Sequence, residues 1–244
     1  MLAQLIDEAP RFFTWFNMLF LAEAAFNTLT VSLLGCAIGY AAGLVLATVR
    51  LPQMGLGGPV RGAALLWTEL LRRIPFLIVL MIVFFGFQFA GADASLYTTA
   101  TTAVALRMSA LAAENVRGGY LSVNPLQWDA ALAMNMGPWR ALTRVVLPQA
   151  WRVILPPSTM HTVSMVKETS LVSQIGFLEL TFAARMLNQR GFSALICYGS
   201  VLVLYFVVSW GFARLGRYAE RRLVTEARAR ARPEGVVLAA RGTG

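Results

Sequence analysis

Apolar runs of membrane-spanning length alternate along this chain with short polar segments. A helix needs roughly 20 mostly apolar residues to cross the hydrocarbon of a bilayer. Asn27 to Val49 carries no charge and predicts a first span; its Gly35, Gly39 and Gly43 form a doubled small-xxx-small stripe suited to close helix contact. Ile74 to Ala92 predicts a second span, with Pro75 in its first turn. Ala94 to Val116 predicts a third, interrupted by Arg107 and closed by Glu114 and Arg117. Gly191 to Ala213 is charge-free and predicts the last. Between these lies Val153 to Glu179, with Lys167 and Glu168 near its middle. Each charge at a helix centre costs roughly 2.5–3.5 kcal/mol on insertion scales, so hydropathy alone passes over this segment.

A polar interval, residues 124–148, separates the third run from the fourth. Asn124 can cap a helix, Pro125 suits the first helical position, and Gln127 stands where a capping box takes Glu or Gln. The helix then runs through Asp129, Ala130 and Ala131 to Met134, and Asn135 provides a left-handed stop. Gly137-Pro138 restarts a helix through Trp139, which Pro148 is expected to end at Leu147. The interval reads as a compact pair of short helices.

Composition and charge define the setting. Of 244 residues, 57% are hydrophobic and 14% charged, where a soluble domain has about one quarter charged. Mean hydropathy is +0.62. The net charge of +9 is carried almost wholly by arginine, since Lys167 is the only lysine. A basic balance also suits nucleic acid, but positive loops facing the cytoplasm account for it better in a membrane protein, and no nucleic-acid partner is expected. Arg117, Arg140, Arg144 and Arg152 surround the polar interval, and Arg214, Arg217, Arg221, Arg222, Arg228, Arg230 and Arg232 follow the last run. If both lie in the cytoplasm, an even number of crossings separates them, and Val153 to Glu179 counts as a span. Arg50, Arg61, Arg72 and Arg73 agree with this orientation; Arg185 and Arg190 fall on the opposite side.

The expected fold is therefore an all-α membrane protein with about five transmembrane helices. Its N-terminus is periplasmic, its C-terminus cytoplasmic, and a pair of short cytoplasmic helices lies between spans three and four. Residues 1–21 read as an interfacial segment bearing Phe12, Phe13, Trp15, Phe16 and Phe20, residues 22–222 as the transmembrane domain, and residues 223–244 as a disordered cytoplasmic tail. Cys36 and Cys197 lie inside apolar runs and read as small buried hydrophobes; with His161 as the only histidine, no metal cluster is expected. Met1 to Pro10 carries Asp7 and Glu8 rather than the basic start of a signal peptide.

The polar interval also carries a resemblance. Asp129-Ala-Ala-Leu-Ala-Met-Asn135-Met-Gly137, followed by Leu147-Pro148, resembles the EAA signature loop of ATP-binding-cassette importer permeases, with Asp129 at a usual Glu and Asn135 at a usual Gly. Further matches are Asn27-Thr-Leu-Thr-Val-Ser, Glu69-Leu-Leu-Arg72-Arg73-Ile-Pro75, Ala113-Glu114-Asn-Val-Arg117-Gly-Gly119 and Lys167-Glu168-Thr169-Ser170-Leu-Val-Ser-Gln-Ile-Gly176. Over about residues 22–222 the chain is similar to the polar amino acid permeases of the histidine, glutamine and glutamate type. It departs from them at Arg73-Ile74, where many members have Gly-Thr, and at Leu111, where Tyr is common.

The resemblance implies a non-catalytic, multi-pass permease of the bacterial inner membrane that moves polar amino acids or related carboxylate-bearing zwitterions. It implies no cofactor on this chain, because ATP is bound by separate ATPase subunits. The other implied partners are a second permease subunit, the same or paralogous, and a periplasmic or surface-anchored solute-binding protein. The absence of any Gly-Lys pair, and so of a phosphate-binding loop, agrees with this. The implied ATPase-coupling residues are Asp129, Ala130, Ala131, Met134, Asn135, Met136, Gly137, Trp139, Leu147 and Pro148. Met134, Met136 and Trp139 either dock into an ATPase groove or pack between the loop's own helices.

Four charges stand within the apolar runs. Arg107 and Glu114 share one helix face roughly 10 Å apart. Arg107 is either a ligand for a substrate carboxylate or an ion-pair partner of a neighbouring helix, and Glu114 either a gate or a packing pair. Lys167 and Glu168 point about 100° apart, toward the pathway or a subunit interface rather than lipid. Two other function classes compete. An ion-coupled secondary transporter more often shows internal repeats and broken helix pairs, neither of which is visible in the sequence. A non-transporting membrane anchor would have no use for charges inside its spans.

Overall fold

The computed structural model describes residues 8–230, which are helical with no strand among them. The first long helix, α1 (Trp15–Val49), begins well before the expected Asn27, because no Gly or Pro interrupts residues 15–27. The aromatic residues ahead of the expected span therefore divide. Phe12 is buried edge-on against Phe192, with ring centroids 5.3 Å apart, while Phe13, Trp15 and Phe16 are exposed on the helix and its entry.

The segment expected to be a connector forms a helix, α2 (Gly58–Arg73). Ile74 is extended, as a residue before proline must be, and α3 (Phe76–Phe89) follows Pro75. The two axes bend by 113° at this break. At 14 residues α3 is only about 21 Å long, short of the ~30 Å hydrocarbon layer. The expected second span, Ile74 to Ala92, is thus the second piece of a broken helix pair, a feature the sequence did not reveal.

The central element is α4 (Leu96–Ser122), capped by Ser95, whose Oγ accepts from the Thr98 amide at 3.1 Å. Its buried positions are mostly small: Ala100, Ala103, Ala105, Ala110, Ala112 and Ala113. Small residues let the glycine stripe of α1 approach. A Cβ placed on Gly35, Gly39 or Gly43 would lie 2.4, 2.5 and 2.5 Å from side-chain carbons of Val104, Met108 and Ala112, so these positions admit no side chain without displacement. By length and apolarity alone, two helices among the described residues qualify as spans, Trp15–Val49 and Ala194–Tyr218, or three if the bent pair is one span. The enclosed α4 is not among them: a helix surrounded by protein selects small residues rather than apolar ones.

The chain continues through two short helices (below) into α7 (Leu147–Glu168), a 3-10 stretch Thr169–Ile175, α8 (Leu180–Gln189) and α9 (Ala194–Arg230). The fourth expected span is corrected here. Its helix ends at Glu168, and Gly176 turns the chain with φ +83°. Lys167 and Glu168 therefore lie in a last helical turn, not in mid-span. The helix α9 extends through Arg230, past the expected tail start at 223, and residues 231–244, with Arg232, lie outside the described residues, as does Asp7 at the other end. Both cysteines are buried, Cys36 against α4 and Cys197 beside α8.

The glycine stripe yields a test. Gly39→Val should destabilise the purified protein by about 1–3 kcal/mol through overpacking. Gly86→Val, at a site with nothing within 4 Å, should leave the thermal midpoint near that of the wild type. Equal midpoints for the two variants would refute the tight α1–α4 contact.

Candidate functional site: the helical hairpin between α4 and α7

The hairpin begins where the sequence placed it. Asn124 caps α5 (Pro125–Ala133), its Oδ1 accepting from the Leu126 amide at 3.0 Å. The expected capping box does not form; Gln127 Oε1 instead accepts from Gln149 Nε2 at 3.4 Å, across to α7. The helix ends as foreseen at Asn135, whose φ of +58° makes it the only left-handed non-glycine residue among those described. The Asn135 amide donates to Leu132 O at 2.9 Å and the Met136 amide to Ala131 O at 3.0 Å. This is the paired closure of a Schellman motif, and its usual apolar contact is present, since Met136 packs on the cluster that contains Ala131.

After Gly137 the chain forms α6 (Pro138–Ala141) and then a wide turn, Leu142–Val146, that leads directly into α7. Pro148 was expected to end this helix at Leu147, and it does not. The Leu147 amide bonds to Leu142 O, five residues back. The widened turn relaxes the ladder where Pro148 has no N–H to give and its ring would crowd the carbonyl four residues earlier. The second loop helix and α7 are therefore one continuous, bulged rod.

A small core holds the hairpin against the bundle. Trp128, Ala131, Ala141, Leu142 and Val146 pack with Ala47 and Leu51 from the end of α1 and Val116 and Tyr120 from α4. The apolar loop residues differ in their placement. Met136 and Leu147 pack onto this core, while Met134 and Trp139 are 69% and 63% exposed. Asp129, Ala130, Asn135, Gly137 and Pro148 are also exposed, and Ala131 is buried. Asp129 makes no hydrogen bond or ion pair among the described residues.

Beside the hairpin, Glu114 is held from two sides. Its Oε2 accepts from Arg50 Nη1 at 3.0 Å, at the end of α1, and the Arg117 fork closes on both oxygens one turn later. Thr48 Oγ1 and Tyr120 Oη lie 3.3 Å apart alongside, a second polar tie between α1 and α4. Arg107 does not join this group. Its Nη1 donates to Leu71 O at 2.5 Å in the last turn of α2, a carbonyl that the break at Pro75 leaves without a helical partner. Its Nε is buried without a partner among the described residues. The Trp67 indole N–H donates to Ser109 Oγ at 3.1 Å, so α2 is tied to α4 twice near the break. Arg72 and Arg73 both pair with Glu69, at 3.1 and 2.7 Å. Lys167 and Glu168 make no ion pair among the described residues. The Glu69-x-x-Arg72-Arg73 spacing is a legible sequence signal for the ion pairs of Glu69, whereas nothing in the sequence points from Arg50 to Glu114.

Residues 39–223 match the family described as the inner membrane component of binding-protein-dependent transport systems. The chain belongs to this family. Its members are non-catalytic permease subunits that work with a separate ATPase and a substrate-binding protein. Among curated relatives, the glutamine transport system permease GlnP of Escherichia coli (strain K12) is 31% identical over 212 residues, covering 86% of this chain and 95% of GlnP. The L-cystine transport system permease TcyB of Bacillus subtilis (strain 168) is 29% identical over 204 residues, covering 83% and 86%. A solved amino acid ABC transporter with histidines superposes with a TM-score of 0.76 at 30% identity, covering 84% of this chain and 94% of that one. The MetNI methionine transporter in an inward-facing state shares the fold, with a TM-score of 0.75 at 19% identity.

The left-handed turn can be probed directly. Asn135→Gly should keep full stability, because glycine adopts this conformation without strain. Asn135→Val places a branched side chain there at a cost of about 1–2 kcal/mol and should lower ATPase-driven uptake. Wild-type uptake by the valine variant would show that the turn is not needed.

Proposed function

We propose that this chain is one of two permease subunits of a bacterial inner-membrane importer that carries polar amino acids or related carboxylate-bearing zwitterions inward. The observation that carries this reading is the hairpin itself: a pair of short helices packed on the shared end of α1 and α4 that presents Met134, Trp139 and Asp129 outward. Exposed apolar anchors beside an exposed charge suit docking into an ATPase groove. Amino acid transport is supported by the relatives, whose names specify glutamine and cystine. ATP binds to the partner ATPase, and this chain uses no cofactor of its own. A periplasmic or surface-anchored protein delivers the solute, and the second permease is the same chain or a paralogue.

The proposed topology has five crossings, formed by α1, the broken pair α2–α3, α4, α7 and α9, with the N-terminus outside and the hairpin in the cytoplasm. Lys167 and Glu168 face the pathway or the partner permease, because unpaired charges against lipid are costly. Glu114 acts as a packing pair between α1 and α4, and Arg107 braces the α2 break. The broken pair also suits a secondary transporter, yet the family membership and the outward anchors of the hairpin favour ATP coupling.

Reconstituted with its ATPase and binding protein, the complex should take up labelled glutamine only when ATP is inside the vesicle and both partners are present. Uptake driven by a proton or sodium gradient without the ATPase would overturn the reading. A cysteine in place of Met134 should react with an impermeant reagent only from the cytoplasm, and one in place of Asp93 only from the periplasm. Labelling of both from one side would reject five crossings.

A further inference from the structure

We propose that the cleft between the end of α1, the first half of α2 and the last turns of α4 binds the headgroup of an anionic phospholipid. The idea rests on the orientation proposed above, which sets this end of the bundle at the cytoplasmic leaflet. The cleft is a pocket of about 490 Å³, and three guanidinium groups line it: Arg50, Arg61 and Arg117. They come from three different elements, so the fold and not a run of sequence assembles them. Among the described residues only Glu114 is ion-paired with any of them. Glu114 pairs with Arg50 and Arg117, and Arg61 has no ion pair among the described residues. Three positive groups against one negative leave a surplus of two positive charges.

The surplus is preorganised. Glu114 holds Arg50 and Arg117 in place, and a guanidinium has five N–H donors, of which these contacts occupy only some. A phosphodiester offers several acceptor oxygens around one charge, the geometry that guanidinium forks match. The rim identifies the source of that phosphate. Leu65 and Leu121 line the same cleft and are 45% and 63% exposed, as side chains against acyl chains would be. A soluble anion would use the arginines and ignore the leucines; a lipid uses both. Basic pockets between transmembrane helices on the cytoplasmic side suit acidic headgroups in this way. The arginines at the end of α9 differ, because Arg214 and Arg217 lie along one helix with Arg214 stacked on Trp210, and among the described residues α9 alone lines the pocket there.

The test uses the purified full-length chain in detergent, offered phosphatidylglycerol and phosphatidylcholine, with retained lipid counted by native mass spectrometry. The wild type should retain phosphatidylglycerol in preference. Arg61→Gln, which leaves the Glu114 pairs intact, should weaken that retention about tenfold, as expected for losing one charge-assisted contact. Arg61→Lys should recover part of it. Leu121→Ser should weaken retention too, while Arg214→Gln should not, and thermal midpoints near wild type should accompany all four. Equal retention by wild type and Arg61→Gln overturns the proposal. So does an equal loss in Arg214→Gln, which would mean diffuse charge. Full displacement by inorganic phosphate, with Leu121→Ser unaffected, would mark a soluble-anion site and also overturns it. Loss of retention when ATPase subunits are added would assign the cleft to a protein contact instead. Retention in detergent has no sidedness, so a wrong orientation would show in the cysteine labelling and leave this result unchanged.

Discussion

The close approach of α1 to α4 is the constraint on which the rest of this structure depends. Three glycines, one per helical turn, face Val104, Met108 and Ala112 with no room for a Cβ. That contact runs the two helices side by side down to their shared end, where Arg50 reaches Glu114 and Thr48 reaches Tyr120. The same end supplies part of the hairpin's core, through Ala47, Leu51, Val116 and Tyr120. The hairpin is thus positioned by a helix contact made inside the membrane domain, not by its own two short helices. Neither α5 nor α6 is long enough to be stable alone in water.

What was legible in the sequence was local chemistry. Asn135 could be read as a left-handed stop because few residues adopt that conformation, and the glycine stripe because its spacing has no other economical use. What was not legible depended on tertiary context. Pro148 normally ends a helix, but one wide turn upstream removes the conflict, and nothing in the residues announces that turn. The helix α2 was hidden because its arginines read as topological signals, although Glu69 at three- and four-residue spacing to Arg72 and Arg73 was visible. The length of the fourth span was overestimated because apolar residues continue past Glu168, while the backbone tightens into a 3-10 stretch instead. Periodicity cannot separate these outcomes; packing decides them.

Three charges inside the bundle follow one rule: each is joined to a second element. Arg107 meets the open end of α2, Arg50 meets α4, and the carboxylate of Glu179 caps α8 while accepting from Tyr205 of α9 at 2.7 Å. A buried charge is strongly destabilising when its partner is removed, so each such joint resists separation of the helices it links. Lys167 and Glu168 depart from the rule, with no ion pair among the described residues. They also stand where α7 gives way to the 3-10 stretch, the place where the rod that begins in the hairpin ends.

That continuity bears on the proposed role of the hairpin as the ATPase contact. A hairpin hung on flexible loops would absorb displacement by rotating about them. Here α6 passes through the wide turn into α7 without a break, so moving the hairpin moves the base of α7. Farther along, Pro156 and Pro157 remove two backbone donors from the same helix, and polar groups attach at that point: Asn115 Nδ2 donates to Ile154 O at 2.9 Å and Tyr40 Oη to Ser158 O at 2.9 Å. Those bonds tie α7 to α1 and α4 at its weakest segment. A push on the hairpin is therefore resisted at the proline pair and must either bend α7 there or carry α1 and α4 with it. The glycine stripe keeps α1 and α4 together, which favours bending at the prolines over separating the two helices.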